Sequence, residues 1–187
     1  STDSKEVAEI ANRYGAKTPF FRSKKNSNDI ASTIDVIIEV LEFYSKKGLN
    51  FEYGCCLYPT APFITSKILE EAFDLMLKNS YDSVFPIIEY GHPIQRAIKL
   101  NNKKIEYVSS ENINKRTQDL EKRFHDAGQF YWFSVEKLMM SKKLITNNSS
   151  GLIMSKNSMQ DIDKIEDWSL AELKFKNINN NYGYKIL

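Results

Sequence analysis

Residues 51–64 read FEYGCCLYPTAPFI, an apolar and aromatic run that is followed by two closely spaced prolines. Proline fixes its own φ and lacks a backbone N–H, so a regular segment ends where the prolines begin. A short apolar run with such a boundary is typical of a buried strand. The stretch therefore predicts a core strand over residues 51–58 that leads into a loop of fixed geometry.

Helical and strand-like segments alternate on both sides of this strand. Apolar residues recur at helical spacing in residues 5–14, 33–46, 66–78 and 165–178. Shorter strand-like runs occupy residues 83–88, 130–135 and 151–154, and a short helix is expected over residues 136–143. This alternation predicts an α/β fold with a mostly parallel sheet flanked by helices, in which ligands bind beyond the carboxyl ends of the strands.

The middle of the chain interrupts this alternation. Two short runs over residues 95–108 are joined by a turn at Asn101-Asn102, which predicts an antiparallel hairpin that leaves the main sheet. Residues 109–122 are polar and charged and show no apolar periodicity. They are predicted to form a surface arm or a segment that a partner orders, and a solvated loop is the alternative.

Composition favours one compact domain over residues 1–187, with 42% hydrophobic residues and a net charge of only +2. So balanced a charge predicts no nucleic acid partner and no membrane partner. No apolar stretch is long enough to span a bilayer, and no secretory leader opens the sequence. The adjacent Cys55 and Cys56 form neither a disulfide framework nor a zinc motif, so we expect two buried free thiols and a cytoplasmic protein.

Asp161 and Asp163 lie between a predicted strand and the last predicted helix. Residues two apart in an extended segment face the same side, so both carboxylates can face one cation. Mg²⁺ prefers such hard oxygen ligands, together with water and substrate phosphates. Capping of the last helix by an aspartate is the alternative role for this pair.

Other polar side chains can contact an anionic or polar substrate. Residues 125–129, His-Asp-Ala-Gly-Gln, combine polar groups with two small residues that allow close backbone approach. Their alternative is a hairpin corner at the surface. Arg22 and Arg116 can each bind a carboxylate or phosphate through two N–H groups, although most arginines are simply solvated.

Six stretches of the chain match one known family in the same order. They are residues 1–4 with the helix that follows, Arg22 with Ser27 and Asp29, residues 58–62, residues 116–120, residues 125–132 and residues 161–163. Together they resemble the acylneuraminate cytidylyltransferases, and most closely their pseudaminic acid branch. The resemblance spans nearly the whole chain.

The resemblance implies a nucleotide-binding α/β fold that transfers CMP from CTP to the anomeric hydroxyl of a nine-carbon sugar acid and releases pyrophosphate. It further implies a homodimer in which an antiparallel protruding arm, residues 94–133, reaches the neighbouring subunit's site. By position, Asp161 and Asp163 match the catalytic pair that binds Mg²⁺ in the family. The predicted substrate-binding residues are Arg22, Tyr58, Thr60, Arg116, Gln118, His125, Gln129 and Tyr131.

The chain departs from the family pattern in two places. Sialic acid enzymes read Gln-Pro-Thr-Ser-Pro-Leu-Arg where residues 58–64 read YPTAPFI, which removes an amide and an arginine near the sugar and favours a different nine-carbon acid. The family's opening strand and its Gly-rich loop, which carries a lysine for the CTP phosphates, are absent. Because the sequence opens at Ser1 without an initiator methionine, we expect the native polypeptide to carry an additional N-terminal segment.

Three other functions stay open. One is a cytidylyltransferase for N-acetylneuraminic or legionaminic acid. Another is a metal-dependent nucleotide-sugar glycosyltransferase, although in those enzymes the Asp-X-Asp pair usually follows a central strand rather than preceding the last helix. The third is a non-catalytic module that binds a sugar acid or dimerises.

Overall fold

A computed structural model describes residues 1–182 of the chain, and the side-chain surroundings of residues 1–177. Within that part, the α-helices are α1 (Lys5–Arg13), α2 (Thr33–Lys46), α3 (Ser66–Asn79), α4 (Val135–Ser141) and α5 (Ile165–Tyr182). The strands are β1 (Tyr53–Leu57), β2 (Ser83–Glu89), β3 (Ile98–Asn101), β4 (Lys104–Tyr107), β5 (Phe124–Asp126), β6 (Phe130–Ser134) and β7 (Ser149–Met154). The predicted α/β class is confirmed.

The prediction of a mostly parallel sheet is wrong. Strand β6 lies between β1 and β2 and runs antiparallel to both. Strand β5 also pairs antiparallel with β2, and only the β2–β7 pair of the described sheet is parallel. Strands β1, β2 and β7 do point in one direction. After its excursion from the sheet, however, the chain returns as β6 in the position between β1 and β2. Those two strands therefore each bond to the antiparallel β6 instead of to each other.

Strands β5 and β6 are two parts of one interrupted strand. Asp126 of β5 pairs with Ile87 of β2, and Trp132 of β6 pairs with Val84 of β2. The two pairs are three residues apart on β2 but six residues apart on the chain that carries β5 and β6. The three extra residues, 127–129, form a bulge, and its central Gly128 has a φ of +61°, a conformation that favours glycine. The bulge lies at the end of β6 that faces the carboxyl ends of β1 and β2.

Helices cover both faces of the sheet. On one face, Ala72 and Met76 of α3 are buried against Val84 and Phe130. On the other, Ile37 of α2 and Leu138 of α4 pack on Phe133. The three helices predicted before residue 80 are confirmed, and side chains cap their first turns: Ser4 for α1, Ser32 for α2 and Thr65 for α3.

Three details differ from the sequence prediction. Strand β5 is not predicted, because a three-residue strand is too short to show periodicity. Cys55 and Cys56 are half-buried rather than buried, and burial together with the neighbouring thiol raises the pKa of Cys55 to about 12. In the last helix, the two residues predicted to share the apolar face differ in exposure, since Ala171 is buried whereas Trp168 is 55% exposed.

None of the helices in residues 1–182 combines the length and the hydrophobicity that a membrane span requires.

The predicted antiparallel hairpin is confirmed as β3 and β4, which form a separate two-stranded sheet. All eight of its residues are exposed. Residues 124–133, the end of the stretch predicted as an arm, lie instead in the main sheet or its bulge. The excursion is therefore confined to the residues between β2 and β5.

Gly54 generates a stability prediction, because it lies directly opposite Phe133 on β6. A Cβ at position 54 would lie 2.6 Å from ring carbon Cε2 of Phe133, which is buried. We expect Gly54→Ala to lower the free energy of unfolding by about 1–3 kcal/mol through overpacking. The measurement is urea denaturation, with Gly91→Ala as the control, since a Cβ there would meet only the end of the Lys156 side chain. Equal stability of the two variants would contradict the packing described for β1 and β6.

Candidate active site

The candidate site lies at one end of the sheet, where β1 and β2 end and β6 begins. Tyr58 directly follows β1, and its backbone N–H donates to the carbonyl of Gln129 in the bulge, 2.9 Å away. On the opposite side of the bulge, the N–H of Ala127 donates to the carbonyl of Pro86 at 3.0 Å. The bulge is thus fastened to both neighbouring strands, which holds its side chains in place.

Two hydrogen bonds hold the carboxylate of Asp126 across the bulge. The Tyr131 hydroxyl donates to Oδ2 at 2.6 Å, and the Gly128 N–H donates to Oδ1 at 2.8 Å. Burial, and then the bond to Asp126 and its charge, raises the pKa of Tyr131 far above its usual value. The phenol therefore stays a protonated donor at any physiological pH.

The Tyr58 and Tyr131 rings form an aromatic pair, with centroids 5.6 Å apart. The Tyr58 hydroxyl lies 2.7 Å from Oγ1 of Thr33, the first residue of α2. Thr60 lies two residues further along the loop and is half-buried. These groups present hydroxyls and aromatic edges next to the bulge, which suits a polyhydroxylated ligand.

The carboxylate of Asp161 lies against the bulge. A Cβ built at Gly128 would be only 3.1 Å from Oδ2 of Asp161, so a larger residue there would displace the carboxylate. Burial raises the pKa of Asp161, and the negative charges of Asp163, Asp167 and Asp126 raise it further. Several carboxylates therefore share this end of the sheet and favour the binding of a cation.

Asp167, rather than Asp161 or Asp163, accepts hydrogen bonds at the start of α5. Oδ2 of Asp167 accepts hydrogen bonds from the backbone N–H groups of Asp163 at 3.1 Å and Lys164 at 2.9 Å. This carboxylate satisfies donors at the start of α5. The side chain of Asp163 is exposed and forms no hydrogen bond with any described residue, so its oxygens are accessible to a ligand.

The donor set fits Mg²⁺ only as a shared site. No three Asp, Glu, His or Cys side chains among the described residues are grouped so as to hold a metal ion by themselves. Mg²⁺ usually takes one or two protein carboxylates and completes its shell with water and substrate phosphates. The exposed oxygens of Asp161 and Asp163 fit that mode of binding.

Gln129 belongs to the core rather than to the accessible surface of the site. Its side chain has no exposed surface, and Nε2 donates to the backbone carbonyls of Ala127, Gly128 and Gln160 at 3.1–3.3 Å. A side chain so enclosed offers no surface to a sugar in this conformation. Its observed contacts join two backbone segments, and the contact with the sugar stays a prediction.

Two predicted residues lie away from this cluster, between the hairpin and β5. Arg116 is mostly exposed and forms an ion pair with Asp119, with 2.8 Å between Nε and Oδ2. Gln118 lines a small cavity of about 250 Å³ together with His92.

His125 lies on β5 at the edge of the cluster. Its side chain is exposed, and its Nδ1 lies 2.8 Å from the carbonyl of Asp126.

A cleft of about 640 Å³ opens between β1 and α2. Strand β1 bonds to β6 along one edge, and within the described residues its other edge has no partner strand. Apolar side chains line most of the cleft, whereas Arg22 and Tyr58 bring polar groups to its wall. Nε of Arg22 is buried and has no hydrogen-bond partner in the described part, so one polar group at the wall of the cleft is unsatisfied.

Sequence reasoning misses two contributors to the site. The pairing of Asp126 with Tyr131 across the bulge has a local signal, since an aspartate two residues before a glycine is typical of a turn in which its side chain accepts a backbone N–H. The contact of Thr33 with Tyr58 joins residues 25 positions apart and has no sequence signal.

Comparison with known proteins identifies similar chains. The cytidylyltransferase family model matches residues 1–163. A pseudaminic acid cytidylyltransferase from Campylobacter jejuni is 34% identical over 94% of this chain and 76% of its own length. A CMP-N,N'-diacetyllegionaminic acid synthase from Legionella pneumophila is 27% identical over 92% of this chain and 75% of its own length.

One solved structure gives an independent view of the fold. A CMP:2-keto-3-deoxy-manno-octonic acid synthetase complexed with CTP matches with a TM-score of 0.59 at 14% sequence identity. The match covers 96% of this chain and 79% of that one. It shows that the two chains share an α/β fold.

Proposed function

The chain belongs to the cytidylyltransferase family, and from that premise we propose that it transfers CMP from CTP to the anomeric hydroxyl of pseudaminic acid. The observation that carries the proposal is the position of Asp161 against the bulge, beside the Asp126–Tyr131 pair and the end of β1. The similarity to a pseudaminic acid cytidylyltransferase supports the choice of sugar.

In the proposed reaction, the anomeric oxygen of the sugar forms a bond to the α-phosphorus of CTP. The bond from that phosphorus to the bridging oxygen of the β-phosphate breaks, and pyrophosphate leaves with the electron pair. Such transfers depend mainly on alignment and on stabilisation of the phosphate charge. A carboxylate at the end of the sheet accepts the proton that the hydroxyl loses.

Each side chain of the site has a proposed part in this reaction. Asp161 and Asp163 would hold Mg²⁺, which when bound supplies positive charge to the phosphates. The hydroxyls of Tyr58 and Thr60 and the ring of Tyr131 orient the sugar. Arg22, which lines the cleft between β1 and α2, would bind an anionic group of a substrate through its guanidinium.

The sugar preference follows from positions 58 and 64. Ile64 is half-buried and packs against two core clusters, one around Met76 and one around Met159. As an aliphatic side chain in the place of an arginine, it offers no charge to a sugar. Tyr58 replaces an amide with a phenol. A pocket that lacks the polar partners of a substrate discriminates against it, because the polar groups of that substrate stay unpaired.

We expect the full-length protein to use pseudaminic acid with a kcat/KM at least about 100-fold above that for N-acetylneuraminic acid. The assay measures pyrophosphate release from CTP, with pseudaminic, legionaminic and N-acetylneuraminic acids compared under the same conditions. Equal rates with all three sugars would contradict the proposed specificity. Absence of CTP consumption with every sugar would contradict the proposed activity.

The proposed metal role of Asp163 predicts a loss of activity without a loss of stability. Asn caps a helix about as well as Asp, and Asp167 already fills that role, so Asp163→Asn should leave the melting temperature nearly unchanged. As a ligand it loses its charge, and we expect turnover to fall by roughly 100-fold, corresponding to about 3 kcal/mol. The measurements are turnover against Mg²⁺ concentration and a melting curve. Near-normal turnover would refute the ligand role.

We further propose that the protein is a homodimer in which the β3–β4 hairpin contacts a second copy. One face of the hairpin carries the cross-strand pairs Ile98–Tyr107 and Leu100–Ile105. All four side chains are exposed, by 44–73%. The other face carries an ion pair, with 3.2 Å between Lys99 Nζ and Glu106 Oε2. An isolated two-stranded sheet is marginally stable, so its apolar face gains most from a covering partner.

Leu100→Glu should therefore convert the dimer to a monomer, because it places a charge in the centre of the apolar face. Asn101→Glu is the matched control: it adds the same charge one residue away on the polar face, where its cross-strand partner is Lys104, and we expect it to remain dimeric. Sedimentation velocity gives the oligomeric state of each protein. A Leu100→Glu variant that sediments as the wild type does would contradict the assignment of this interface.

A further inference from the structure

Lys174 on α5 is unusual among the lysines of the chain in the number of bonds that its ammonium forms. Nζ donates to the carbonyl of Lys156 at 2.9 Å, the carbonyl of Met159 at 2.7 Å and Oε1 of Gln160 at 2.9 Å. An ammonium has three N–H donors, so all of them are used. Lys174 is half-buried, and this burial lowers its pKa.

The three acceptors belong to the segment that leads into Asp161. Met159 is 2% exposed and packs against Ile88 and Ala127, which anchors the segment to the sheet next to the bulge. The side chain of Gln160 continues the connection, because its Nε2 donates to the backbone carbonyl of Asp161 at 2.8 Å. Lys174 thus holds the two residues before Asp161 from the side of α5.

The same segment is held from the other side by the bulge. Nε2 of the fully buried Gln129 lies 3.3 Å from the carbonyl of Gln160. Gln160 is therefore bonded through its backbone to the bulge and through its side chain to Lys174. Both attachments lie immediately before the carboxylate that rests against Gly128.

We propose that Lys174 is a positioning residue that sets the divalent-metal affinity of the site by holding Asp161 against the bulge. This inference rests on the metal role proposed for Asp161 and Asp163. A ligand on a loose exposed segment must be ordered when the cation binds, and that ordering weakens affinity. Side chains that orient metal ligands typically change metal affinity by about 10–100-fold when they are removed.

The test compares Lys174→Met with Lys176→Met. Both remove one positive charge from α5, but Lys176 is exposed at the helix surface. Mn²⁺ together with CTP, in the absence of sugar, serves as the probe, because substrate phosphates complete the proposed site. Binding of Mn²⁺ to the protein under these conditions is followed by electron paramagnetic resonance. We expect Lys174→Met to bind Mn²⁺ about 10-fold more weakly than wild type. In the cytidylyltransferase assay its KM for Mg²⁺ should rise by a similar factor, and kcat at saturating Mg²⁺ should fall much less.

Gln160→Ala is a second variant, which keeps the ammonium but removes the side chain between Lys174 and Asp161. It should also weaken Mn²⁺ binding, so the inference stays testable if Lys174→Met does not fold. Wild-type Mn²⁺ affinity in both folded variants, or an equal loss in Lys176→Met, would overturn the positioning role while leaving the proposed function intact. Absence of Mn²⁺ binding by the wild-type protein in the presence of CTP would overturn the metal site itself and this inference with it.

Discussion

The three-residue bulge at residues 127–129 is the constraint on which the site depends. Without it, β5 and β6 would form one continuous strand along β2, and Asp126 and Tyr131 would lie too far apart for a hydrogen bond along an extended chain. The left-handed conformation of Gly128 turns the backbone so that the two side chains meet. Because glycine has no side chain, this position also leaves the space that the carboxylate of Asp161 occupies. A backbone irregularity thus brings together groups from three parts of the chain.

Strand β6 links this site to the stability of the whole fold. Its side chains alternate between the two faces, so Phe130 packs under α3 while Phe133 packs under α2 and α4. Tyr131 lies between them and faces the site. The start of β6 is paired with β1, and Trp132 and Phe133 further along the strand are paired with both β1 and β2. The packed core therefore fixes the position of the bulge. A site whose carboxylates must be held in a defined geometry requires such support.

Local features of the sequence predict the helices and point to the proposed metal-ligand pair, whereas non-local contacts decide the sheet. The capping residues and apolar periodicity of α1, α2 and α3 lie within each segment, and their bounds agree closely with the prediction. Strand order depends on where the chain re-enters the sheet, and no local pattern shows that β6 returns between β1 and β2. The spacing of Asp161 and Asp163 suggests the metal role that we propose for them. The role of Lys174 is invisible in the sequence, because its acceptors are backbone carbonyls 15 or more residues away and one amide.

We infer that the bulge and the segment before α5 build one site for a metal and a nucleoside triphosphate. A crystal structure of the protein with CTP and Mn²⁺ would test this inference, because anomalous scattering locates the metal without reference to the protein coordinates. We expect a peak bonded to side-chain oxygens of Asp161 and Asp163, with the triphosphate beside Gly128. Metal and triphosphate bound together elsewhere, with both carboxylates unliganded, would contradict it.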